Sequence, residues 1–368
     1  MTANNTQNHA ATHAIPPRYD GSSTEYHHWR DHRLTLEQVR PAPLQHGIRL
    51  TPAINTSEDR HALATLCNTV RDYGFCHYQW TDTPDNLSDS INRLNHCLGL
   101  TVTDNGVITD ANALSVLQDL EGTEQGRFIP YTSRAMNWHT DGYYNTREQS
   151  VRCFTLHCVQ PAQSGGELML MDTGLLLIRL YDLNPGIVAL LWHPQAMTLP
   201  GNSDKLGHHR PDRTAPLFFT HDDGTLGTNF TTRSRHIEWR DEATRQAAAT
   251  AKECIDLSAD CHHCIRLTRF QGIVTRNILH ARRAFTDPPK SRENSNSNNT
   301  RYGSTRGHVN LDQSRIENSS SSSGRQMLRG RYHQLAQLNP QAFSVTADAG
   351  NITASEAEIT RATNHVTR

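Results

Sequence analysis

A histidine and an aspartate near the middle of the chain have the spacing of a metal-binding pair. Residues 137–145 read Asn-Trp-His-Thr-Asp-Gly-Tyr-Tyr-Asn, which places His139 two positions before Asp141. In an extended chain, side chains two positions apart point to the same face. A second histidine beside this pair would complete the 2-His-1-carboxylate set that suits Fe(II). The same pair also occurs by chance, as a surface histidine and aspartate in a turn.

The candidate for the second histidine is His280, far downstream in the sequence. It follows an apolar stretch within residues 275–282, Thr-Arg-Asn-Ile-Leu-His-Ala-Arg. Antiparallel all-β folds bring strands that are distant in sequence side by side, so this histidine can reach His139 and Asp141. Alternatively, His280 is an ordinary hydrogen-bonded histidine at a strand end. The arginines that follow it in the chain favour the metal-ligand interpretation.

Three arginines near residue 330 favour an anionic ligand at the same site. Arg325, Arg329 and Arg331 have the same parity, so they share one face if this stretch is a regular strand. A guanidinium binds a carboxylate through two parallel hydrogen bonds. The alternative is an exposed edge strand whose arginines prevent pairing with another chain.

Short strands separated by turn residues, with helices between the early strands, would position these residues. Helices are expected at residues 57–73, 85–97, 173–181, a short stretch ending at 193, and 241–255. Strands are expected at residues 48–54, 75–78, 151–160, 167–171, 217–220, 228–232, 265–270, 273–279 and 325–332. This order predicts a mostly β fold with helical additions, either a β-sandwich or a jelly roll. A doubly wound α/β sheet is less favoured, because the chain lacks the Gly-x-Gly-x-x-Gly fingerprint.

The overall composition argues against several classes of partner. The chain has 368 residues, with Lys+Arg 36 against Asp+Glu 37 and a formal net charge of -1. Such a balanced charge predicts no nucleic-acid partner and no acidic membrane partner. No apolar run approaches the roughly 18 residues of a membrane span, and the polar start of the chain has no signal-peptide pattern. We therefore expect a cytoplasmic protein, and the sequence leaves association into a homo-oligomer open.

Eight cysteines are spread along the chain. In a cytosolic protein of this size they are expected to be reduced thiols. Cys261 and Cys264 form a Cys-x-x-Cys pair, but a structural zinc site normally needs a second ligand pair. Cys254 offers only one further thiol, so ordinary thiols are favoured over a zinc or redox role.

Changes of composition along the chain predict one domain with flexible additions. Residues 1–25 are polar and unpatterned, which is typical of a disordered tail. A single domain is expected over residues 26–335. A Pro/Ser/Asn-rich stretch at residues 287–324 cannot build a core and is predicted to be an insertion within that domain. Residues 336–368 are expected to form a polar C-terminal tail.

Four parts of the sequence together carry a resemblance to a known family. Residues 137–145, 151–172, His280 and 325–332 resemble the iron(II)/2-oxoglutarate-dependent dioxygenases of the TauD/TfdA and γ-butyrobetaine hydroxylase family. The likeness extends over roughly residues 48–335. It implies a double-stranded β-helix (jelly roll), with Fe(II) as cofactor and 2-oxoglutarate as cosubstrate.

The resemblance also implies roles for individual residues. Three would bind the Fe(II), namely His139, Asp141 and His280. Arg325 would hold the distal carboxylate of 2-oxoglutarate, and Arg329 would hold an anionic group of the substrate. Tyr332 matches the position of an aromatic residue that contacts a trimethylammonium group in betaine-oxidising members, and Tyr143 can add to such a cage. Ordinary packing is the alternative role for Tyr143.

Three features depart from the family pattern. The interval between His280 and Arg325 is longer than the family's, which leaves Arg282 and Arg283 as alternative residues for binding 2-oxoglutarate. Leu168 occupies a position where many members have a threonine that helps to hold 2-oxoglutarate. The segment before the first metal ligand matches neither the anion-oxidising nor the betaine-oxidising members.

The expected activity is hydroxylation of a small polar substrate, anionic or betaine-like, with O2 as co-reactant and with release of succinate and CO2. Two other classes of function share the metal site. A metal-dependent jelly-roll hydrolase or isomerase would turn over without 2-oxoglutarate, and a non-catalytic jelly-roll binding protein would bind its ligand without decarboxylation. The arginine strand favours the dioxygenase over both.

Overall fold

The computed structural model describes residues 15–104, 114–123, 125–203, 209–232, 237–288 and 324–347. Within these ranges the α-helices are α1 (Thr24–Val39), α2 (Ala42–His46), α3 (Ser57–Tyr73), α4 (Leu87–Cys97), α5 (Thr173–Leu183), α6 (Pro185–Trp192) and α7 (Glu242–Leu257). Short 3-10 segments occur at Pro17–Tyr19, Gln125–Arg127, Ile129–Tyr131, Ala259–Cys261 and Pro340–Ala347. None of the helices in the described ranges combines the length and the apolar character that crossing a membrane requires.

The strands in the same ranges are short. They are β1 (Ile48–Leu50), β2 (Phe75–Trp80), β3 (Ser115–Gln118), β4 (Met136–His139), β5 (Cys153–Gln160), β6 (Ser164–Gly165), β7 (Leu168–Met171), β8 (Met197–Leu199), β9 (Asn202–Ser203), β10 (His209–Arg210), β11 (Arg213–Ala215), β12 (Phe218–Thr220), β13 (Leu226–Thr228), β14 (Glu238–Trp239), β15 (His263–Ile265), β16 (Gln271–Thr275), β17 (Leu279–Arg282), β18 (Phe285–Thr286) and β19 (Gln326–Tyr332).

Two sheets form the centre of the molecule. The larger has the strand order β1-β2-β16-β5-β19-β3, and the smaller has the order β15-β7-β17-β4. All of these neighbours are antiparallel except β1 and β2. Leu156 and Met327 of the larger sheet pack in one buried cluster with Leu168 and Leu170 of the smaller sheet. The sheets therefore face each other, and the predicted jelly roll with helical additions is confirmed.

Helices cover the outer face of each sheet. On the larger sheet, Leu63 and Leu66 of α3 pack in one cluster with Leu50 of β1 and Val274 of β16. On the smaller sheet, side chains from α5, α6 and α7 pack with Leu279 of β17. Because β17 alternates its side chains between the two faces, Leu279 contacts the helices while His280 points between the sheets. The helices thus hold the smaller sheet in place without contributing to the space between the sheets.

One predicted strand is in fact two. The sequence predicts a continuous strand over residues 273–279, but β16 ends at Thr275 and β17 begins at Leu279. Asn277 lies between them with φ +54, a left-handed conformation in which no strand can continue. The chain crosses there from the larger sheet to the smaller. The predicted strand at residues 265–270 is also wrong, because β15 ends at Ile265 and Phe270 turns the chain with φ +66.

The described structure extends beyond the predicted domain of residues 26–335 at both ends. Tyr19, assigned to a tail by its sequence, is 3% exposed and donates its hydroxyl hydrogen to the Gly224 carbonyl. Near the other end, Leu338 and Phe343 pack against the cluster beneath α3. The sequence did not predict these buried residues, because each is a single apolar residue in a mostly polar stretch. Of the predicted insertion, residues 289–323 lie outside the described ranges, as do residues 1–14 and 348–368.

A capping box begins α3. The side chain of Thr56 accepts a hydrogen bond from the Asp59 amide at 3.0 Å, and the Asp59 carboxylate accepts one from the Thr56 amide at 3.2 Å. Substitution of an N-cap threonine by alanine typically costs about 1 kcal/mol. We expect Thr56→Ala to lower the free energy of unfolding by about that amount in urea denaturation. Ser57→Ala is the control, because it removes an exposed hydroxyl that donates to the Glu58 carboxylate. It should change the free energy of unfolding by less than about 0.5 kcal/mol.

Candidate active site

Strands β4 and β17 bring three potential metal ligands together between the sheets. The two strands are antiparallel neighbours in which His139 lies opposite His280. Their imidazole rings have a centroid distance of 4.2 Å. Asp141 follows β4 by two residues, and its Oδ1 lies 4.0 Å from His139 Nε2. One ligand atom from each of the three residues lies within 4.8 Å of the other two.

The hydrogen bonds of both histidines leave the same ring nitrogen free. His139 Nδ1 lies 2.8 Å from the Asn137 carbonyl oxygen, and His280 Nδ1 lies 2.9 Å from the Ile278 carbonyl oxygen. A carbonyl only accepts hydrogen bonds, so each Nδ1 carries the hydrogen and donates it. Each Nε2 then keeps a lone pair. Such a backbone contact orients a metal-binding imidazole and selects its tautomer.

The electrostatic environment favours the metal-binding protonation states. Burial lowers the pKa of His139 to about 3, with His280 acting in the same direction, and burial also lowers the pKa of His280. Burial alone would raise the pKa of Asp141, but Arg329 and then Arg331 hold it well below its usual value. At neutral pH the site therefore has two neutral imidazoles and one carboxylate, the forms that bind metal ions.

These residues fit an Fe(II) ion. Asp141 Oδ2 is buried without a hydrogen-bond partner, although Arg329 Nη1 lies 3.5 Å away. Two imidazole nitrogens and one carboxylate oxygen are the donor set of non-haem Fe(II) oxygenases. Among the described residues, these three form the one group of at least three His, Cys, Asp or Glu side chains that lie close enough to share an ion. All eight cysteines are free thiols, and Cys264 is exposed.

A small cavity, here called the inner cavity, extends from the three ligands toward Arg325. It has a volume of about 60 Å³ and is walled by apolar residues of both sheets, among them Phe154, Leu168 and Met327. Leu168 thus gives the cavity a hydrocarbon wall where a hydroxyl was expected from the family pattern. At the far end Arg325 is 6% exposed, and its Nη1 is buried without a hydrogen-bond partner.

The other two candidate arginines are placed differently. Arg282 donates from Nη2 to the carbonyl oxygen of Thr132 at 2.6 Å and to that of Arg134. Arg283 is exposed. Arg282 and Arg325 each have the guanidinium carbon 5.0 Å from the ring centroid of Phe285. Burial lowers the pKa of Arg282 to about 9, with Arg325 acting in the same direction. A bound anion would relieve this repulsion. Arg282 keeps only its Nε without a partner, whereas a terminal nitrogen of Arg325, Nη1, is buried without one.

A larger cavity, here called the outer cavity, lies on the opposite side of the ligands. Its volume is about 270 Å³, and it shares His139, Asp141 and Arg329 with the inner cavity. Aromatic side chains form part of its walls, namely Phe128, Tyr131, Trp138, Tyr143 and Tyr144. Arg331 also lines it and forms an ion pair with Asp104, with Nη2 2.8 Å from Oδ2. The site therefore has two compartments that meet at the candidate metal ligands.

The structure does not bring Tyr332 to this site. Side chains alternate along β19, so Tyr332 faces away from the arginines at 329 and 331. It is 2% exposed and packs beneath α3, in the cluster that contains Trp80 and Val274. The predicted contact between Tyr332 and a substrate is thus incompatible with this geometry. Its even residue number already predicts this, because the arginines at 329 and 331 have odd numbers and so lie on the other face of a regular strand.

Sequence reasoning missed two residues that shape the site. Phe285 supplies the ring on which both buried guanidinium groups lie. Asn277 hydrogen-bonds the main chain of Asp141, with Oδ1 2.8 Å from its amide nitrogen. The available signal for Asn277 was its type, because asparagine is enriched in left-handed conformations that interrupt strands. Phe285 carried no distinguishing signal.

Comparison with known proteins decides the family. The model of the family "Taurine catabolism dioxygenase TauD, TfdA" matches residues 89–296, more than half of the chain. This protein belongs to that family. The predicted TauD/TfdA resemblance is thereby confirmed. The three candidate metal ligands of this TauD/TfdA family member lie within the matched region, whereas Arg325 lies beyond its end.

Individual relatives of this TauD/TfdA family member are distant. The uridine-5'-phosphate dioxygenase of Streptomyces sp is 26% identical over 172 residues, 44% of this chain and 59% of that protein. The chain therefore spans less than two thirds of the length of this curated relative. A variant of the non-haem iron oxygenase OrfP in complex with (3S)-hydroxy-L-Arg has a TM-score of 0.51 at 11% identity, covering 82% of this chain and 89% of OrfP. OrfP with Fe, succinate and (3R,4R)-dihydroxy-L-Arg gives a TM-score of 0.50 at 11% identity, covering 82% and 85%. These structures support the fold.

The geometry of the triad predicts the effect of removing one imidazole. We expect His139→Ala and His280→Ala to lower the affinity for Co(II), used as an air-stable substitute for Fe(II), by more than about 100-fold, beyond what losing an outer-shell partner causes. The measurement is titration of the visible Co(II) absorption. His61→Ala, which removes an exposed histidine on α3, is the control and should bind like the parent. Parent-like binding by both folded site variants would contradict the assignment.

Proposed function

We propose that this protein is an Fe(II)- and 2-oxoglutarate-dependent dioxygenase that oxidises a small anionic substrate. The observation that carries the proposal is the inner cavity, which has the triad of His139, Asp141 and His280 at one end. At its other end lies the buried, unpartnered guanidinium nitrogen of Arg325. An elongated dianion such as 2-oxoglutarate can bind a metal ion through one end and the Arg325 guanidinium through the other. When bound, Fe(II) and 2-oxoglutarate supply the O2-dependent oxidation of a C–H bond, with succinate and CO2 as co-products.

The protein's own residues bind, orient and exclude water. The triad would hold the ion through two Nε2 atoms and a carboxylate oxygen. Arg325 would hold the distal carboxylate of 2-oxoglutarate, and its guanidinium carbon lies 5.0 Å from the ring centroid of Phe285. The apolar walls at Leu156 and Met327 keep water from the space between. Such exclusion strengthens the electrostatic contacts within the cavity.

The outer cavity favours an anionic substrate over a betaine. Arg329 and Arg331 both line it, and their guanidinium groups can donate hydrogen bonds to an anionic group but not to a quaternary ammonium group. The betaine alternative depended on Tyr332 together with Tyr143 and Tyr144, and of these Tyr332 faces away from the cavity. Tyr143 and Tyr144 form an edge-to-face pair with centroids 5.3 Å apart, and both line this cavity. The relative named for uridine-5'-phosphate also takes its name from an anion.

The alternative functions account for fewer features. A metal-dependent hydrolase or isomerase needs the triad but has no use for a buried cation at the end of the inner cavity. A binding protein without activity has no use for three converging metal ligands. Free thiols at all eight cysteines agree with a reducing, cytoplasmic location for the proposed enzyme.

The decisive experiment is anaerobic titration of the metal-free protein with Fe(II) and then with 2-oxoglutarate. We expect the weak visible charge-transfer absorption of a keto acid chelated to Fe(II). Iron binding without that absorption would remove the dioxygenase proposal and favour the hydrolase. Absence of iron binding would remove both.

Removing the cation at the end of the inner cavity should weaken 2-oxoglutarate binding. We expect Arg325→Ala to raise the KM for 2-oxoglutarate by about 10- to 100-fold, the loss that accompanies one or two charged hydrogen bonds. The measurement is succinate formation at varied 2-oxoglutarate. Arg283→Ala is the matched control, because it removes an exposed arginine from the same region and should leave the KM unchanged. Equal KM values for both variants would show that another residue binds the cosubstrate.

The charge of the outer cavity should determine which compounds stimulate 2-oxoglutarate decarboxylation. We expect carboxylates, sulfonates or phosphates of moderate size to stimulate CO2 release, and trimethylammonium compounds without a net negative charge to have no effect. The measurement is release of labelled CO2 across matched pairs of anionic and betaine compounds. Stimulation by the betaines alone would reverse the assignment of substrate charge.

A further inference from the structure

Asn277 occupies an unusual place in the fold. It lies at the crossing from the larger to the smaller sheet, between β16 and β17, and has φ +54. His280, a candidate metal ligand, follows three residues later. Asparagine tolerates this left-handed conformation better than most residues, because its short side chain can form local hydrogen bonds. The side chain of Asn277 instead makes its hydrogen bonds to segments far away in the sequence.

The Asn277 side chain forms hydrogen bonds with both the amide and the carbonyl group of Asp141. Its Oδ1 accepts a hydrogen bond from the Asp141 amide at 2.8 Å, and its Nδ2 donates to the Asp141 carbonyl oxygen at 2.9 Å. The same Nδ2 donates to the Val151 carbonyl oxygen at 2.7 Å. The carboxamide therefore uses its acceptor and both of its hydrogens in contacts with backbone groups. Two distant segments are joined through one side chain.

Asp141 needs such support because it lies beyond the end of a strand. β4 ends at His139, and the Thr140 amide donates to the Phe230 carbonyl oxygen at 3.0 Å. Gly142 follows with φ +67, so the chain turns away directly after Asp141. Among the described residues, no strand partner hydrogen-bonds the amide or the carbonyl group of Asp141. Both groups are instead hydrogen-bonded by the Asn277 carboxamide.

We infer that Asn277 is a positioning residue for the metal centre, which fixes the Asp141 carboxylate relative to His280. The inference rests on the proposed function, since it assumes that these two residues bind one ion. Supporting hydrogen bonds keep metal ligands within about 0.5 Å of the geometry that binds the ion. Loss of an outer-shell partner typically lowers metal affinity about 10- to 100-fold.

The test separates a positioning role from a contribution to stability alone. Asn277→Gly keeps the left-handed backbone accessible and removes the carboxamide. Asn277→Asp keeps the acceptor for the Asp141 amide and loses both hydrogens that reach the carbonyls. Asn86→Ala is the control, because Asn86 caps α4 through the Asp89 amide and contacts no part of the site. For each protein the thermal midpoint is measured without metal, and the affinity for Co(II) by titration of its visible absorption.

We expect both Asn277 variants to bind Co(II) about 10- to 100-fold more weakly than the parent. The Asn86→Ala variant should melt at a lower temperature but bind Co(II) as the parent does. Should Asn277→Gly fail to fold, Asn277→Asp provides the same comparison with less loss of packing. A parent protein that binds Co(II), together with folded Asn277 variants that bind it within twofold of the parent, overturns the positioning role alone. A parent protein that binds neither Co(II) nor Fe(II) overturns the proposed function and this inference together.

Discussion

The pairing of β4 with β17 is the contact on which the site depends. It brings His139 opposite His280, although the two residues lie in distant parts of the sequence. A slip of one residue in either strand would turn its histidine toward the helices, since side chains alternate between the faces. Burial prevents that slip, because Leu279 is fully buried against α5 and α7 while His280 faces the space between the sheets. The core thus determines the register, and the register determines the metal-binding geometry.

The space between the sheets contains more charge than a stable core would. Arg325 and Arg282 lie beside the same ring, and Asp141 Oδ2 lies 3.5 Å from Arg329 Nη1 without a hydrogen bond. Taking such charges out of water is unfavourable unless they are paired. The helices and the clusters on the outer faces compensate for this cost elsewhere in the molecule. A cavity that is electrostatically incomplete on its own is suited to binding a cation at one end and an anion at the other.

Side-chain periodicity gave correct predictions wherever the chain was regular. The helix predicted at residues 57–73 coincides with α3, whose apolar spacing and capping residues all lie within a short stretch. The same parity rule assigns Tyr332 to the face opposite the arginines, where it packs in the core, and so it contradicts the substrate contact that the family resemblance implied. Periodicity could not reveal Asn277, because its effect comes from a left-handed backbone and from hydrogen bonds to residues remote in sequence. The buried residues outside the predicted domain were missed for a similar reason, because single apolar side chains such as Tyr19 have no periodic neighbours.

The long interval before Arg325 is compatible with its proposed role because the two flanks of that interval meet. The Arg325 amide donates to Asp287 Oδ1 at 2.8 Å, so the residues that flank the predicted insertion meet within hydrogen-bond distance. Phe285 lies just before that junction, and the Arg325 guanidinium carbon lies 5.0 Å from the centroid of its ring. The entropic cost of closing a loop grows only with the logarithm of its length. Additional residues between the two flanks therefore change the free energy of folding modestly and need not move Arg325. The position of this arginine depends on its contacts with β18 and on the pairing of β19 with β5, rather than on its distance from His280 in the sequence.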